Sequence, residues 1–406
     1  MNSRSADVVV MGLGHLGLPK ALLLARSGYR VHGVDGNLAM VRAINQYKDQ
    51  IITLHFGNIA SSRPPKYEFM VGNAPVPADT FIITVPVTIR NECECDISEL
   101  ENAVSSIVPC LRKGSLVIIE STCPVGTTQK MLGKIYQARP ELRGHLLGAY
   151  CPTRADSLHE LTYTDKLIGG MDPASTEKAA SFYARVIKGT LHKTKAPTAE
   201  LCKLVESTHR SVNVAFANEV SLICEKAGVN VWELLHLVNT NPKVCLLSPG
   251  CGASGVREVI HPCILGHQFC EESTLIRSAH TINHAKFNWV LQKIEEESGK
   301  QEKRLHRKPV LGLLGLTGRP DTDNLTASPA LQIAAMLTER QYKIMCVEPN
   351  IPTNRINDLR LFPLDSVIKK ADLLIALVAH SAFRVRQLHG KKNLLDFCGI
   401  ASHTST

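Results

Sequence analysis

The feature that most constrains the fold is a glycine fingerprint near the start of the chain. An apolar run over 6–12, ADVVVMG, is typical of a buried parallel strand, and it leads into Gly12, Gly14 and Gly17 of GLGHLG. An apolar helical pattern follows, and a second strand pattern then ends at Asp35. A G-x-G-x-x-G sequence between strand and helix, with an acidic residue about 20 positions further on, predicts a dinucleotide-binding α/β unit.

Each residue of this fingerprint has a physical role in the prediction. Gly12 permits the tight turn, Gly14 lets the backbone approach a pyrophosphate, and Gly17 allows close packing of helix on strand. The N-terminus of the helix then faces the phosphate charge. Asp35 accepts hydrogen bonds from the ribose 2′-hydroxyl, which favours NAD over NADP. The predicted cofactor contacts of this segment are Gly12, Gly14, His15, Leu16, Gly17 and Asp35.

Two later strand patterns, at 79–86 and 114–122, end in small or polar residues. Open α/β sheets bind their ligands at the carboxyl ends of the strands. Thr84, Pro86 and Thr122 are therefore predicted to contact the cofactor. The alternative for the loop that holds Thr122 is a tight connection with no role beyond its turn.

The longest uninterrupted helical pattern in the chain covers 198–228. Its apolar residues recur at spacings of three and four, which draws one apolar stripe along a helix. Lys203, Ser207 and Arg210 share a second face, and Asn213 adds a polar group that a plain surface helix would not need. We interpret this segment as a helix that joins two α/β halves and lends its polar face to a site. The alternative is a buried connecting helix with a solvated edge.

The C-terminal part of the chain returns to an α/β pattern. Helical patterning ends in a strongly polar run at 295–308, which is predicted to be a linker, and a strand pattern follows it. The fold class predicted is α/β, with two Rossmann-like domains joined by a long central helix and a helical region. The predicted domains cover 1–197, 198–297 and 298–406.

Composition narrows the classes of function. The chain has 406 residues, of which 44% are hydrophobic and 20% charged, and this indicates a soluble globular protein of two or three domains. The N-terminal residues run directly into a strand pattern and no apolar run reaches bilayer length, so we expect a cytoplasmic protein without membrane insertion.

The pattern of cysteines argues against a metal site, and the distribution of charge argues against nucleic-acid binding. The thirteen cysteines are scattered, which is typical of packing in a reducing compartment, and no second pair stands at zinc spacing from Cys93 and Cys95. We therefore predict no metal site. The net charge of +9 suits an anionic substrate such as a nucleotide, and outside a cluster at 300–308 it is spread along the chain. Nucleic-acid binding is not expected.

Together these motifs resemble the UDP-glucose/GDP-mannose dehydrogenase family. The resemblance runs through most of the chain and includes GLGHLGLP (12–19), ESTCPVGTT (120–128), AELCKLVES (199–207), RSVNVAFANEVSLIC (210–224), PGCG (249–252), LIRSA (275–279) and VEPNI (347–351). It implies an N-terminal NAD-binding domain, a central helical region that forms a homodimer, and a C-terminal domain that holds the nucleotide sugar. The implied activity is that of an NAD-dependent 6-dehydrogenase of UDP-N-acetylmannosamine or UDP-glucose, for surface polysaccharide biosynthesis.

The reaction of the family oxidises a sugar C6 alcohol to a carboxylate in two NAD-dependent steps, and a cysteine traps the intermediate aldehyde as a thiohemiacetal. A lysine, an asparagine and an aspartate hold the oxyanion and the water, and a glutamate serves in acid/base chemistry. By resemblance, Lys203 matches the lysine and Thr122 matches a threonine of the S-T-x-P loop. The candidate substrate contacts are Arg154, Lys203, Ser207, Arg210, Asn213, Gly255 and Arg319.

Several family site positions carry other residues in this chain. Arg257 stands at the cysteine position and His261 at the aspartate position. The glutamate, asparagine and C-terminal arginine positions hold Thr153, Ser207 and Thr326. Arginine cannot act as a thiol nucleophile, and its guanidinium stays charged. The resemblance therefore predicts changed chemistry at the second oxidation.

Two further interpretations concern the loop around Arg257 and His261. His261 is the new candidate general base there, and with Lys203 and Thr122 it completes the candidate catalytic residues. The alternative is a loop histidine without a catalytic part. A shifted loop that presents Cys263 is weighed against plain packing of that cysteine.

The departures leave two classes of function open. The first is an NAD-dependent nucleotide-sugar dehydrogenase with impaired or altered chemistry, in which Lys203 and NAD still support one oxidation. The second is a catalytically inactive member of the family that binds NAD and acts as a partner or regulator. A hydroxyacid or phosphogluconate dehydrogenase on a related fold has no support from the long helix motif.

Overall fold

The computed structural model describes residues 6–48, 50–51, 68–90, 94–154, 158–253, 256–384, 388 and 393–401. The chain divides into two compact units, Met1–Val205 and Glu206–Thr406. Among the described helices, none combines the length and the apolar character that a bilayer span needs.

The first unit contains ten strands and six helices in its described part, and a seventh helix begins in it. The strands are β1 Ala6–Met11, β2 Val31–Val34, β3 Phe69–Gly72, β4 Ala78–Ile83, β5 Thr88–Arg90, β6 Glu94–Asp96, β7 Leu116–Ile119, β8 Leu147–Tyr150, β9 Lys166–Gly170 and β10 Leu191–Lys195. The helices are α1 Gly17–Arg26, α2 Leu38–Gln46, α3 Ser98–Ile107, α4 Thr127–Ala138, α5 Leu158–Tyr163, α6 Pro173–Tyr183 and α7 Ala196–Ala227.

Eight of these strands form one sheet in the order β10-β9-β8-β7-β4-β1-β2-β3. Neighbouring strands run parallel except β8 and β9, which are antiparallel. In register, Val8 of β1 faces Val31 of β2 on one side and Thr80 of β4 on the other. This register brings the carboxyl ends of β1, β2 and β4 to the same edge of the sheet.

Helices cover both faces of this sheet because its central strands are apolar on both sides. Successive side chains of β1 point to opposite faces, so Val8 and Val10 join one buried cluster and Val9 and Met11 join the other. The cluster that contains Val9 and Met11 also includes Ala196 and Ala199 from the start of α7. The first turn of that long helix is thus part of the core of the first unit.

The second unit combines helices with a smaller parallel sheet. Its helices after α7 are α8 Val231–Val238, α9 Val256–Gln268, α10 Thr274–Leu305, α11 Pro329–Glu339 and α12 Leu364–Lys370. Its strands are β11 Val310–Leu314, β12 Lys343–Val347, β13 Arg355–Ile356, β14 Leu359–Arg360, β15 Leu373–Ala376 and β16 Leu394–Asp396. The sheet has the order β12-β11-β15-β16, and all three pairs are parallel.

Two local predictions are wrong. The polar run at 295–308 is not a linker, because α10 continues through it to Leu305. The helix keeps one buried stripe there, through Ile294, Ser298 and Gln301, and two of these three residues are polar. The loop predicted around Arg257 and His261 is helical instead, because α9 begins at Val256 and continues to Gln268.

The α/β fold class and the long connecting helix are confirmed. Both sheets are mainly parallel with helices between their strands, and α7 runs without a break from Ala196 to Ala227. The division into three domains at 1–197, 198–297 and 298–406 stays a prediction.

Candidate functional site

The glycine fingerprint forms the turn between β1 and α1. Gly12 has φ +90°, which an L side chain rarely adopts, and a Cβ on it would lie 3.1 Å from the backbone nitrogen of Val85. Thr84 also fixes the turn, since its hydroxyl donates to the carbonyl oxygens of Gly12 at 2.8 Å and Met11 at 2.9 Å. A Cβ on Gly17 would overlap the carbonyl oxygen of Gly12. Only glycine therefore fits at Gly12 and Gly17.

Gly14 lies on the open side of the same turn. A Cβ on Gly14 would meet no heavy atom within 4 Å, and Gly14 and His15 are exposed. The protein itself thus leaves the space beside Gly14 open, next to the N-terminus of α1. Backbone N–H groups at a helix N-terminus favour a negatively charged ligand such as a pyrophosphate.

Asp35 is fixed beside this turn at the carboxyl end of β2. Its Oδ2 accepts a hydrogen bond from the backbone N–H of Leu13, and its Oδ1 accepts one from Asn37, both at 2.8 Å. The side chain is half-buried, and each carboxylate oxygen has more than one lone pair. The carboxylate is therefore oriented by the backbone and can still accept from ribose hydroxyls. The turn and Asp35 together fit a dinucleotide.

The loop that holds Thr122 connects β7 to α4 and is fixed by a buried carboxylate. Glu200 of α7 is 0% exposed and accepts hydrogen bonds from the backbone N–H of Gly126 at 2.6 Å and of Thr128 at 2.8 Å. These N–H groups belong to the N-terminus of α4, where a negative charge is stabilised by the helix dipole. Gly126 itself has φ +91°. The loop is thus a tight turn, and it holds Thr122 half-buried at the carboxyl end of β7.

Lys203 is buried in the first unit on α7. Its Nζ donates a hydrogen bond to the carbonyl oxygen of Thr153 at 2.6 Å, just after the end of β8. A buried ammonium costs free energy unless polar groups satisfy it. The backbone carbonyl of Thr153 is one such partner, so this segment contributes to the position of Nζ.

A buried cluster of ionisable side chains surrounds Thr153. Glu120, at the carboxyl end of β7, forms ion pairs with Lys20 and with Lys166, the latter at 3.3 Å, and it accepts hydrogen bonds from Tyr183 and Thr153. Burial lowers the pKa of Lys166 to about 8. Burial lowers the pKa of Lys20 strongly as well, with added repulsion from Lys166, and it raises the pKa of Tyr183.

The sequence patterns do not single out this cluster. Its signal in the sequence is a charged residue inside an apolar run: Lys20 in the helix after the fingerprint, and Glu120 at the end of VIIE. Such residues are almost never fully buried without a partner. The partners are 100 residues apart, and so the sequence does not reveal the pairing.

The candidate substrate residues of the second unit are spread over two helices and a loop. On α7, Ser207 is buried, Arg210 is exposed, and Asn213 donates to the carbonyl oxygen of His209 at 2.7 Å. On α9, His261 is buried. The backbone of Arg257 lies in the first turn of that helix, and Gly255 lies outside the described residues.

The loop after β11 carries Arg319, the remaining candidate contact. Arg319 is half-buried, and its carbonyl oxygen accepts from the hydroxyl of Thr317 at 3.0 Å. Thr317 also meets the buried His380 at 3.2 Å. In the first unit Arg154 and Pro86 are exposed, and in the second unit Thr326 is exposed.

The structure therefore places one set of predicted residues at the same edge of the eight-stranded sheet. Residues of the turn, Asp35 and Thr84 meet at the carboxyl ends of β1, β2 and β4, and Lys203 is bonded to the segment after β8. Within the described residues, no group of three His, Cys, Asp or Glu side chains is placed to hold a metal ion.

Comparison with protein families gives three consecutive matches along the chain. The NAD binding domain of the UDP-glucose/GDP-mannose dehydrogenase family matches residues 6–187. The central domain of the same family matches residues 197–285, and its UDP binding domain matches residues 312–402.

Curated relatives match over nearly the full length. The chain is 36% identical to the UDP-N-acetyl-D-mannosamine dehydrogenase of Escherichia coli (strain K12), over 94% of this chain and 95% of the relative. It is also 36% identical to an NDP-N-acetyl-D-galactosaminuronic acid dehydrogenase of Ralstonia nicotianae, over 93% of this chain and 91% of the relative.

Solved structures give the same result. The UDP-D-ManNAc dehydrogenase of Pyrococcus horikoshii superposes with a TM-score of 0.81 at 28% identity, covering 98% of this chain and 96% of the other. The UDP-N-acetyl-mannosamine dehydrogenase of S. aureus superposes with a TM-score of 0.80 at 27% identity and the same coverage.

Proposed function

The chain belongs to the UDP-glucose/GDP-mannose dehydrogenase family and uses NAD, and from this premise we propose that it oxidises the C6 alcohol of a nucleotide sugar. The observation that carries the proposal is the dinucleotide cradle of Gly12, Gly14, Gly17 and Asp35, in one unit with the buried Lys203. The names of the relatives favour UDP-N-acetylmannosamine as substrate, and UDP-glucose is the alternative.

The residues of the first unit supply binding and charge stabilisation. Bound NAD supplies the two-electron acceptor. Asp35 fixes the adenosine ribose, and the N-terminus of α1 neutralises the pyrophosphate. The ammonium of Lys203 stabilises the negative charge that develops on the substrate oxygen as the alcohol loses its proton, and burial strengthens this interaction. Thr122 offers its hydroxyl at the end of β7.

The second oxidation of the family is the step that this chain lacks a residue for. The family forms a thiohemiacetal on a cysteine, and Arg257 occupies that position by resemblance. A guanidinium forms no thiohemiacetal and stays protonated. We therefore propose that one alcohol and one NAD give one aldehyde, one NADH and one proton, and that the reaction stops there.

The activity is tested with the full chain, NAD and each nucleotide sugar, with NADH followed by its absorbance. We expect NADH to appear with UDP-N-acetylmannosamine, and more slowly or not at all with UDP-glucose. Absence of NADH with both sugars, while NAD binds, would reject the dehydrogenase proposal.

A second candidate function is a catalytically inactive NAD-binding partner or regulator. The observation in its favour is the set of altered family site positions at Thr153, Ser207, Arg257, His261 and Thr326. The two candidates differ in a single measurement, since the inactive protein binds NAD and forms no NADH with any nucleotide sugar.

We also propose a cytoplasmic homodimer. On α7, Phe216 is 58% exposed and Ile223 is 60% exposed, and their spacing of seven places them on one face of the helix. Large exposed apolar side chains on one helix face favour association with another surface. Light scattering of the parent and of the double variant Phe216→Glu/Ile223→Glu tests this, and a parent that is already monomeric at micromolar concentration contradicts it.

A further inference from the structure

Thr153 is the point at which lysines from two helices meet. Lys20 of α1 donates from Nζ to the hydroxyl oxygen of Thr153 at 2.8 Å, and Lys203 of α7 donates from Nζ to its carbonyl oxygen at 2.6 Å. All three residues are buried. Since α1 is the helix that follows the glycine turn, one residue connects the cofactor helix to the lysine of α7.

Glu120 is the centre of the polar cluster around Thr153. The Thr153 hydroxyl donates to Glu120 Oε2 at 2.6 Å, and that oxygen also pairs with Lys20. The other oxygen, Oε1, pairs with Lys166 at 3.3 Å and accepts from the hydroxyl of Tyr183. A buried carboxylate is costly unless both oxygens are satisfied, and here each has two partners.

The cluster contains more lysines than carboxylates. Of its three buried lysines, Lys20 and Lys166 pair with the one carboxylate, Glu120, and Lys203 donates to Thr153. Lys166 also donates to the carbonyl oxygen of Cys151 at 3.0 Å, so it contacts the same backbone segment. Without the carboxylate, Lys20 and Lys166 lose their ion-pair partner and the hydroxyl of Thr153 loses its acceptor, so the segment 151–153 loses contacts that hold it.

We propose that Glu120 and the hydroxyl of Thr153 are positioning residues, which fix the carbonyl oxygen of Thr153 and through it the ammonium of Lys203. This inference rests on the proposed function, in which Lys203 acts on the substrate oxygen. The groups that face Glu120 are Lys20 from α1, Thr153 after β8, Lys166 from β9 and Tyr183 from α6.

A purely structural role for the cluster makes a different prediction. In that case, removal of one hydrogen bond lowers the melting temperature and leaves the turnover of the folded protein unchanged. Ser175 offers a matched control in the same unit, because it is fully buried and its hydroxyl oxygen accepts from the backbone N–H of Gly148 at 3.1 Å.

The test compares Thr153→Val, Thr153→Ser, Glu120→Gln and Ser175→Ala in the full chain. We expect Thr153→Val and Glu120→Gln to bind NAD within about two-fold of the parent and to lose at least about ten-fold in kcat, since small displacements of a reacting group carry large kinetic costs. Thr153→Ser retains the hydroxyl and is expected to keep kcat near that of the parent. Ser175→Ala is expected to lower the melting temperature only.

Two results would overturn the inference. The first is a folded Thr153→Val whose kcat stays within about two-fold of the parent. The second is a fall in kcat of Ser175→Ala as large as that of Thr153→Val. If Glu120→Gln fails to fold, Tyr183→Phe removes one hydrogen bond to the same carboxylate and is expected to lower kcat less than Thr153→Val does.

Crystal structures of the parent and of Thr153→Val give a readout that does not depend on activity. We expect Lys203 Nζ to move away from the carbonyl oxygen of residue 153 in the variant. An unchanged distance rejects the positioning role even if the parent proves inactive. A changed distance in an inactive parent rejects the proposed function alone.

Discussion

The carboxylate of Asp35 accepts a hydrogen bond from the backbone N–H of Leu13 at 2.8 Å, and so links the end of β2 to the turn after β1. The second sheet repeats this relationship, because Glu348 after β12 accepts from the N–H of Leu316 at 2.8 Å. Glu348 is buried, however, and the same oxygen meets His380 at 3.2 Å. Of these two carboxylates, Asp35 is the one that a ribose can reach.

The first prediction concerns the choice between NAD and NADP. Asp35→Asn keeps the size of the side chain and removes its charge, so we expect NAD to bind about ten-fold more weakly, and NADP to bind better relative to NAD. Titration of both cofactors by calorimetry measures this ratio. Asp165→Asn, at a residue of the same unit whose side chain is 46% exposed, is the control, and an equal shift in both variants contradicts the role of Asp35.

The second prediction separates folding from cofactor binding at the glycine turn. Gly17→Ala places a Cβ on the carbonyl oxygen of Gly12, so we expect a loss of about 1–3 kcal/mol or more in the free energy of unfolding. Gly14→Ala meets no protein atom and is expected to keep the parent melting temperature while NAD affinity falls at least about ten-fold. Normal NAD affinity in Gly14→Ala argues against pyrophosphate binding at this turn.

The third prediction concerns the buried lysine of α7. Lys203→Met removes the charge that we propose to stabilise the substrate oxygen, and we expect kcat to fall by about 10²–10³ with NAD binding retained. The control is Lys193→Met, which removes an exposed lysine that pairs with Glu177 at 2.7 Å. Comparable kcat in the two variants would mean that Lys203 only fills space.

The fourth prediction concerns pH and Lys286 of α10. Burial lowers the pKa of Lys286 to about 8, although Cys251 and Glu225 raise it. Below pH 8 both the folded and the unfolded chain carry the proton, so the cost of the buried charge is fully present. Between pH 8 and the ordinary lysine pKa the unfolded chain binds more protons than the folded one, and the stability of the parent rises with pH.

Lys286→Met removes this dependence on pH. Between pH 7 and pH 9.5 we expect the unfolding free energy of the parent to rise, relative to that of Lys286→Met, by on the order of 2 kcal/mol. Urea denaturation at the two pH values measures it, with the exposed Lys300→Met as control. A difference that does not change with pH means that Lys286 is neutral throughout or is solvated in the folded state.

The local parts of the fold can be predicted from the sequence, because their signals are local. The turn after β1 needs glycine for reasons that a few neighbouring residues determine, and the apolar stripe of α7 recurs every three or four residues. The end of α10 is not predictable in this way. Its last turns bury Ser298 and Gln301, so a polar composition conceals a continuous buried face.

The residues of the candidate site differ in the same way, because some follow from local sequence signals and others do not. The placement of Asp35 beside the glycine turn is predictable, because it follows from a fixed spacing to the glycines. The hydrogen bond between Lys20 and Thr153 joins residues that are 133 positions apart in the sequence. It therefore follows from the order of strands in the sheet rather than from either sequence segment. Charged residues inside or at the end of apolar runs, such as Lys20 and Glu120, are the feature of a sequence that indicates such a buried pair.

The most direct test of the account is the number of NADH molecules formed per molecule of UDP-N-acetylmannosamine consumed by the purified full chain. We expect one, because by resemblance Arg257 takes the family cysteine position, and it would leave the aldehyde without a covalent acceptor. Two NADH per sugar, with a carboxylate as product, would contradict it and would mean that another group completes the second oxidation.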